Sequence, residues 1–488
     1  MVTELSPFLF LGVIETENLF SSDYNKTVKM LDEELRLKES FDLVGRDLKI
    51  DKKNARLYFV DGFCKDGEMT KIITSFMAAT EETMKNLPTA RDFANRYIPY
   101  VETDITNKAD LFITSVLSGA VGLVIEGYTD AVIIDARTYP VRSVAEPEND
   151  RVLRGPHDGF VETLVFNTAL VRRKIRDVNL TMEITSVGIK SKTDIVICYM
   201  QNKVNSKILD TLRKKLADIK INSLTMSQQS LVECLVPKQW YNPFPKVRYT
   251  ERPDAAAASV LEGSIVLLID NSPSAMIIPS GIFDFLQDTN DYYMSPVIGS
   301  YLRITRMIIF ALTLLLIPVW YLLVQNPEYI PEWLDFIRIE KPNTVPVIAQ
   351  LYIVELVIDA IRLASFNTPN ALSSSFGVVG ALVLGEFAVS AGWFVPEVVL
   401  YMAFVAVTNY TQPSFELGYA FKLKRMTLIG LIALFNIWGF IGGIIVIALE
   451  IAFTKTVTGQ SYLYPLIPFN GKALASLLLR KPINMRNN

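Results

Sequence analysis

MIIFALTLLLIPVWYLLV, residues 307–324, decides how the rest of the chain is read. The run is uncharged and about eighteen residues long, enough at ~1.5 Å per residue to cross most of a ~30 Å hydrocarbon core. Further apolar runs follow at Gly377–Phe394, Val395–Tyr410 and Met426–Phe453. One such run could be the buried core helix of a soluble domain; several in succession are more than a soluble domain can cover. The expected fold is an α+β soluble N-terminal region of two subdomains, 1–141 and 142–300, followed by an α-helical polytopic membrane domain, 301–456, and a polar tail, 457–488. Spans are placed near 304–324, 375–394, 395–411 and 426–450, with an amphipathic or re-entrant helix at 345–366.

That last helix carries the chemistry. In TVPVIAQLYIVELVIDAIRLASF, residues 344–366, Tyr352, Glu355, Asp359 and Arg362 recur at spacings of three and four and so share one helical face. An ionisable residue at the bilayer centre costs at least ~2.5–3.5 kcal/mol on insertion scales, so this face must meet water, its own charges or neighbouring protein. Either the helix lies at the interface with an internal Asp359–Arg362 pair, or its polar face lines a hydrated path. Glu386 sits inside the run Gly377–Phe394 with no basic residue in that segment, and needs a partner, a proton or water. Beside it Gly377, Ala381 and Gly385 form a small-xxx-small series that lets membrane helices approach closely. Glu355, Asp359, Arg362 and Glu386 are thus candidate pore-lining residues, and Gly377, Ala381 and Gly385 candidate helix-packing residues.

Composition narrows the function classes. Half of the 488 residues are hydrophobic and the net charge is −3, which gives no electrostatic reason to expect nucleic acid. The 3 cysteines, Cys64, Cys198 and Cys234, are far apart and form no CxxC, so neither a disulfide framework nor a zinc site is suggested. His157 is the only histidine, which removes most histidine-based catalytic and metal designs. Neither a P-loop nor a GxGxxG after a strand is present. No cofactor is expected, and the chain is read as a non-enzyme. Pro7–Ile14 is apolar but short and is followed by Glu15 and Glu17, unlike a secretory signal.

Along the soluble region, Tyr24–Ser40 reads as an amphipathic helix, and Phe41–Ile50 and Asn54–Val60 as a hairpin joined at Asp51-Lys52-Lys53. Phe160–Arg176 and Ser206–Ile219 have helical patterns, with Leu180–Val187 and Thr193–Met200 strand-like between them. Arg172, Arg173, Lys174 and Arg176 are read as a solvated face. Val124-Ile125-Glu126-Gly127 before Val132–Asp135 is echoed by Val260-Leu261-Glu262-Gly263 before Val266–Asp270. A strand, an acidic-glycine turn and a second strand would account for both, and suggest two related subdomains.

Four longer strings carry a resemblance: RGPHDGFVETLVFNTALVRRKI (154–175), NPFPKVRYTERPDAAAASVLEGSIVLLIDNSPSAMIIPS (242–280), DYYMSPVIGSYLRITR (291–306) and TQPSFELGYAFKLKR (411–425). Together they closely resemble the A subunits of bacterial spore germinant receptors, over nearly the whole chain. LASFNTPNALSSSFGVVGALVLGEFAVSAGWFVPE (363–397) is most similar to the stage V sporulation AF branch of that family. The resemblance implies a multi-pass protein of the spore inner membrane that forms a homo-oligomeric cation channel and releases monovalent cations during germination. It also implies other germination membrane proteins as partners, either a small membrane protein or receptor B and C subunits, besides the lipid bilayer.

Residues alone leave three classes open: a cation channel with a watery path past Glu355, Asp359 and Glu386, a secondary transporter, and a non-conducting scaffold. A transporter would usually repeat its membrane half, and no such repeat is visible. Topology is constrained by charge. Arg303 and Arg306 put the start of the first span inside, and both the Lys422/Lys424/Arg425 group and the Lys472–Arg486 tail ask to be inside as well. Met426–Phe453 separates those two groups, so both are inside only if it is re-entrant. Otherwise an interfacial Thr344–Phe366 puts the tail inside and the Lys422 group outside, and a spanning one the reverse.

Overall fold

The structure, a computed structural model, describes residues 20–21, 23–64, 66–99, 102–136, 150, 152–236, 241–341, 343–366 and 388–480. The chain forms two compact units, Met1–Asn149 with Pro156–Ser230 and Thr250–Met276, and Asp150–Gly155 with Leu231–Tyr249 and Ile277–Asn488.

The N-terminal region is built on two five-stranded sheets. Strands β1 (Leu43–Ile50), β2 (Lys53–Val60), β3 (Thr103–Thr106), β4 (Val121–Ile125) and β5 (Ala131–Ile134) lie in the order β1-β2-β4-β5-β3. Strands β6 (Leu180–Val187), β7 (Thr193–Met200), β8 (Arg248–Thr250), β9 (Ile265–Ile269) and β10 (Ala275–Ile278) repeat that order as β6-β7-β9-β10-β8. The expected hairpin is present: β1 and β2 pair from Leu43–Val60 to Ile50–Lys53, and Asp51 turns with φ 55°, a conformation that Asp tolerates. The central strands β4 and β9 are buried along their whole length, which explains their continuous Val/Ile/Leu character.

The two sheets show that the repeat is real but its expected register is not. Val260 and Leu261 close the helix Pro253–Leu261, whereas Val124 and Ile125 end β4. The true equivalents are the helices Ala109–Leu117 and Pro253–Leu261, each followed by one capping residue and then Gly119 or Gly263, at φ 101° and 100°. A left-handed glycine stops each helix and turns the chain into its central strand.

A second correction concerns the basic string. Arg172 is fully buried rather than solvated, and its guanidinium donates to Asp42 Oδ2 at 2.8 Å, to Ser40 Oγ at 3.2 Å and to the Leu180 carbonyl at 3.0 Å. Asp42 is also buried and accepts from Ser40 Oγ at 2.6 Å. The helix Leu164–Lys174 is thereby tied to the start of β1 by a charge pair whose hydrogen bonds compensate its desolvation.

In the C-terminal part, Pro296–Gln325 and Phe415–Phe453 are long and apolar enough to cross a membrane. The second is not one rod. Asn436 has φ 52° and ψ −130°, the geometry of the first central residue of a type II′ turn, where Asn and Gly are preferred. A straight helix would hold Leu428 and Gly443 about 22 Å apart. Here a Cβ on Gly443 would fall 2.5 Å from Leu428 Cδ1, and one on Gly439 would strike the Leu431 carbonyl. Lys424 Nζ and the Glu450 carboxylate are 2.5 Å apart. The segment is therefore a helical hairpin: an ascending arm to residue 435, an apex at Asn436, and a returning arm of about 25 Å. Gly439 and Gly443, one turn apart, allow the arms to touch.

The first long helix runs parallel to the ascending arm: the rings of Phe310 and Phe421 are 4.2 Å apart, and the Asn326 and Asn436 amides exchange two hydrogen bonds of 2.7 and 2.8 Å. Val347–Phe366 lies antiparallel to that arm along its length and packs Leu351 and Val354 into the bundle core. Pro396–Tyr410 also runs antiparallel to the first long helix, with Tyr401 beside Trp320 and Thr408 beside Thr313. Phe366 and Ala388 stand at opposite ends of this bundle; the residues between them, including Gly377, Ala381, Gly385 and Glu386, lie outside the described residues.

Candidate functional site: a buried charge cluster in the helical bundle

The acidic face of Val347–Phe366 meets a basic face of the ascending arm. Glu355 and Asp359 are four residues apart on one helix, Lys422 and Arg425 three apart on the other, so each pair projects from one side of its helix. Arg425 Nη2 donates to Glu355 Oε1 at 2.5 Å, and Lys422 Nζ lies 3.4 Å from the same oxygen while also pairing with Asp359. Arg425 Nη1 donates to the Thr313 carbonyl at 2.8 Å, which ties the cluster to the first long helix. Glu355 is 5% exposed, Lys422 5% and Arg425 1%, so the groups must neutralise one another rather than rely on water. Two carboxylates and two cations leave the cluster without net charge.

Asp359 is the less enclosed member, its side chain 28% exposed. With Arg362, Asn409, Lys422 and Arg425 it lines a small cavity between Val347–Phe366, Pro396–Tyr410 and the ascending arm. The Arg362 guanidinium lies 4.2 Å over Phe415 and 5.2 Å from Tyr419. Those aromatic faces hold the charge about one turn from the cluster. Above the cluster, the Tyr352 hydroxyl donates to the Met426 carbonyl at 2.7 Å, and buried Gln350 accepts from Val395 N at 2.8 Å. Thr313 donates to the Ile309 carbonyl at 2.9 Å and lies 3.1 Å from Thr408, completing a polar seam through three helices.

The structure thus brings Glu355 and Asp359 together, with Arg362 on the lining of the same cavity. What the sequence reading missed were the partners. Lys422 and Arg425 had been weighed only as markers of membrane side, although their i,i+3 spacing at the edge of an apolar run is the signal that complements an i,i+4 acidic pair.

An α+β region of two sheets followed in sequence by apolar helices, two of them long enough to cross a membrane, fits a membrane protein with a large N-terminal region. A family model described as Bacillus/Clostridium GerA spore germination protein matches residues 29–488, and the chain belongs to that family. It is 38% identical over 441 residues to stage V sporulation protein AF of Bacillus subtilis (strain 168), covering 90% of this chain and 89% of that one. Identity is 27% to spore germination protein KA of the same organism, over 91% and 82% of the two chains. It is 28% to spore germination protein GerLA of Bacillus cereus, over 83% and 82%. Among solved structures, the N-terminal domain of the A subunit of the Bacillus megaterium spore germinant receptor GerK3 matches with TM-score 0.42 and 22% identity, covering 54% of this chain and 97% of that one.

Proposed function

We propose that this chain is a multi-pass membrane subunit of a spore germination complex, assembling as a homo-oligomer into a channel for monovalent cations. The observation that carries the reading is the Glu355–Asp359–Lys422–Arg425 cluster inside an apolar bundle. Ionisable groups at such depth are costly and are retained where they serve an ion path or hold a state. In this reading the cluster is the closed state, in which protein cations occupy the carboxylates that an open path offers to mobile ones.

The hairpin at Asn436 supports one topology. With the ascending and returning arms antiparallel, Arg303 and Arg306, the start of the ascending arm at Phe415 and the tail from Thr454 sit at one end of the bundle, while Lys422 and Arg425 lie farther in, level with Thr313. Arg303, Arg306 and the basic residues of the tail make that end the cytoplasmic one by the positive-inside rule, with the net acidic 325–343 segment outside. Germination proteins of the inner spore membrane, small membrane subunits or receptor B and C subunits, are the partners this reading requires.

A non-conducting scaffold is the second reading, because the same pairs could simply lock two helices. Current recordings from the purified protein in planar bilayers, with and without a membrane partner, separate them. Glu355→Gln or Asp359→Asn should lower cation selectivity, read as a reversal potential under a salt gradient, while insertion and assembly persist. A folded, oligomeric mutant as cation-selective as wild type would sink the pore role of that residue.

A further inference from the structure

The segment joining the first long helix to Val347–Phe366 has a sidedness that a water-exposed loop does not need. Its inner side is fixed: Ile330 and Ile337 are buried in the bundle core, and Trp320 Nε1 donates to the Ile337 carbonyl at 3.0 Å. Its outer side presents Tyr329, Trp333 and Phe336, at 70%, 75% and 75% exposure, spaced so that the last two share a face of the 3₁₀ helix Glu332–Ile337. Trp393 and Trp438, also exposed, stand at this same end: Trp393 just before Val395, which is bonded to Gln350, and Trp438 just after the apex Asn436.

The opposite end has its own exposed ring of Tyr301, Phe453, Tyr464 and Phe469. From Tyr301 to Asn326 the first long helix spans about 37 Å, the distance from one bilayer interface to the other. Aromatic side chains gathered at two levels that far apart match the interfacial belts of a membrane protein. Thr313, which accepts from Arg425, lies midway between the two levels.

We infer that Pro327–Ile339 lies flat in the outer headgroup layer, inserting Tyr329, Trp333 and Phe336 into a zwitterionic lipid surface level with Trp393 and Trp438. The segment also exposes Glu328, Glu332 and Asp335 against Arg338, a net negative balance that an anionic lipid surface would repel. The inference needs the bundle to cross a bilayer but not to conduct ions, so its failure leaves the channel reading standing, and the reverse.

The test uses the full chain in phosphatidylcholine nanodiscs carrying bromine at acyl positions 6,7 or 11,12, with aqueous iodide as the competing quencher. The emission lost in Trp333→Phe reports Trp333, and Trp438→Phe gives an independent second position at the same level. The expected result is at least twofold stronger quenching of that emission by the 6,7-bromolipid than by the 11,12-bromolipid, with little quenching by iodide. Emission quenched mainly by iodide would make the segment a water-facing loop. Quenching by neither agent would place protein over it, and stronger quenching by the deeper bromines would remove it from the headgroup layer; each result overturns the inference.

Discussion

Replacing Lys422 by methionine should open a resting leak for monovalent cations. Lys422 bridges both carboxylates, lying 3.4 Å from Glu355 Oε1 and paired with Asp359, while Arg425 holds only Glu355. Methionine keeps the apolar stem and removes the ammonium, so the cluster passes from neutral to a net charge of about −1 with packing largely preserved. At ~4 Å and an effective dielectric near 20, a unit charge attracts a mobile cation by about 4 kcal/mol, close to three decades in occupancy. Desolvation of the arriving ion consumes part of that, and an increase of at least tenfold in potassium efflux from loaded liposomes is the expected reading. Breaking a buried pair also destabilises by ~3–5 kcal/mol, but Asp359, 28% exposed, can turn to water and relieve part of the cost. The double mutant Lys422→Met/Asp359→Asn restores neutrality and should return the leak to the wild-type level. If Lys422→Met is folded, inserted and oligomeric like wild type yet no leakier, the lysine is not the cation that closes this site.

The other predictions test the frame around the cluster. Arg172→Met leaves Asp42 buried without its cation and should cost ~3–5 kcal/mol, seen as a lower denaturation midpoint, whereas Arg172→Met/Asp42→Leu should recover most of the loss. At the hairpin, Asn436→Gly should be tolerated, but Gly443→Leu should force the arms apart and lower the yield of monodisperse protein in detergent by severalfold. A cysteine placed after Thr454 and one near Arg303 should label from the same side of a sealed vesicle; opposite sides would refute the hairpin. Burial, with the nearby Asp135 charge, raises the Cys64 thiol to about 11. A raised value means less thiolate, so alkylation of Cys64 should be slow at neutral pH and rise about tenfold per pH unit until it levels near that value.

How far the fold could be read from residues depended on whether its determinants were local. The β1–β2 hairpin was legible because its two strands are adjacent and Asp51 supplies the turn. The duplication was visible through a glycine, but its register was misread: Glu126-Gly127 and Glu262-Gly263 look alike, while the backbone equivalence is between Gly119 and Gly263, which share a helix stop. Arg172 could not be placed inside from its own neighbours, since its partner Asp42 arrives from the turn before β1, 130 residues earlier in the chain. The same limit applies to Glu355 and Asp359, whose common face follows from spacing, whereas the arm that neutralises them depends on which helices pack together. The hairpin at Asn436 is the instructive intermediate case. Hydropathy reads Met426–Phe453 as one span because nearly every turn of it is apolar, and charge counting offers a reversal only as one of several topologies. A single amide near the middle of the run, followed by glycines at Gly439 and Gly443, held the answer. Asn436 tolerates the positive φ and bonds Asn326, and the two glycines remove the side chains that would keep the arms apart. The reversal returns the chain at Thr454 to the end of the bundle where the ascending arm begins, and it holds Lys422 and Arg425 on an arm braced from behind by Lys424 and Glu450, facing the carboxylates they neutralise.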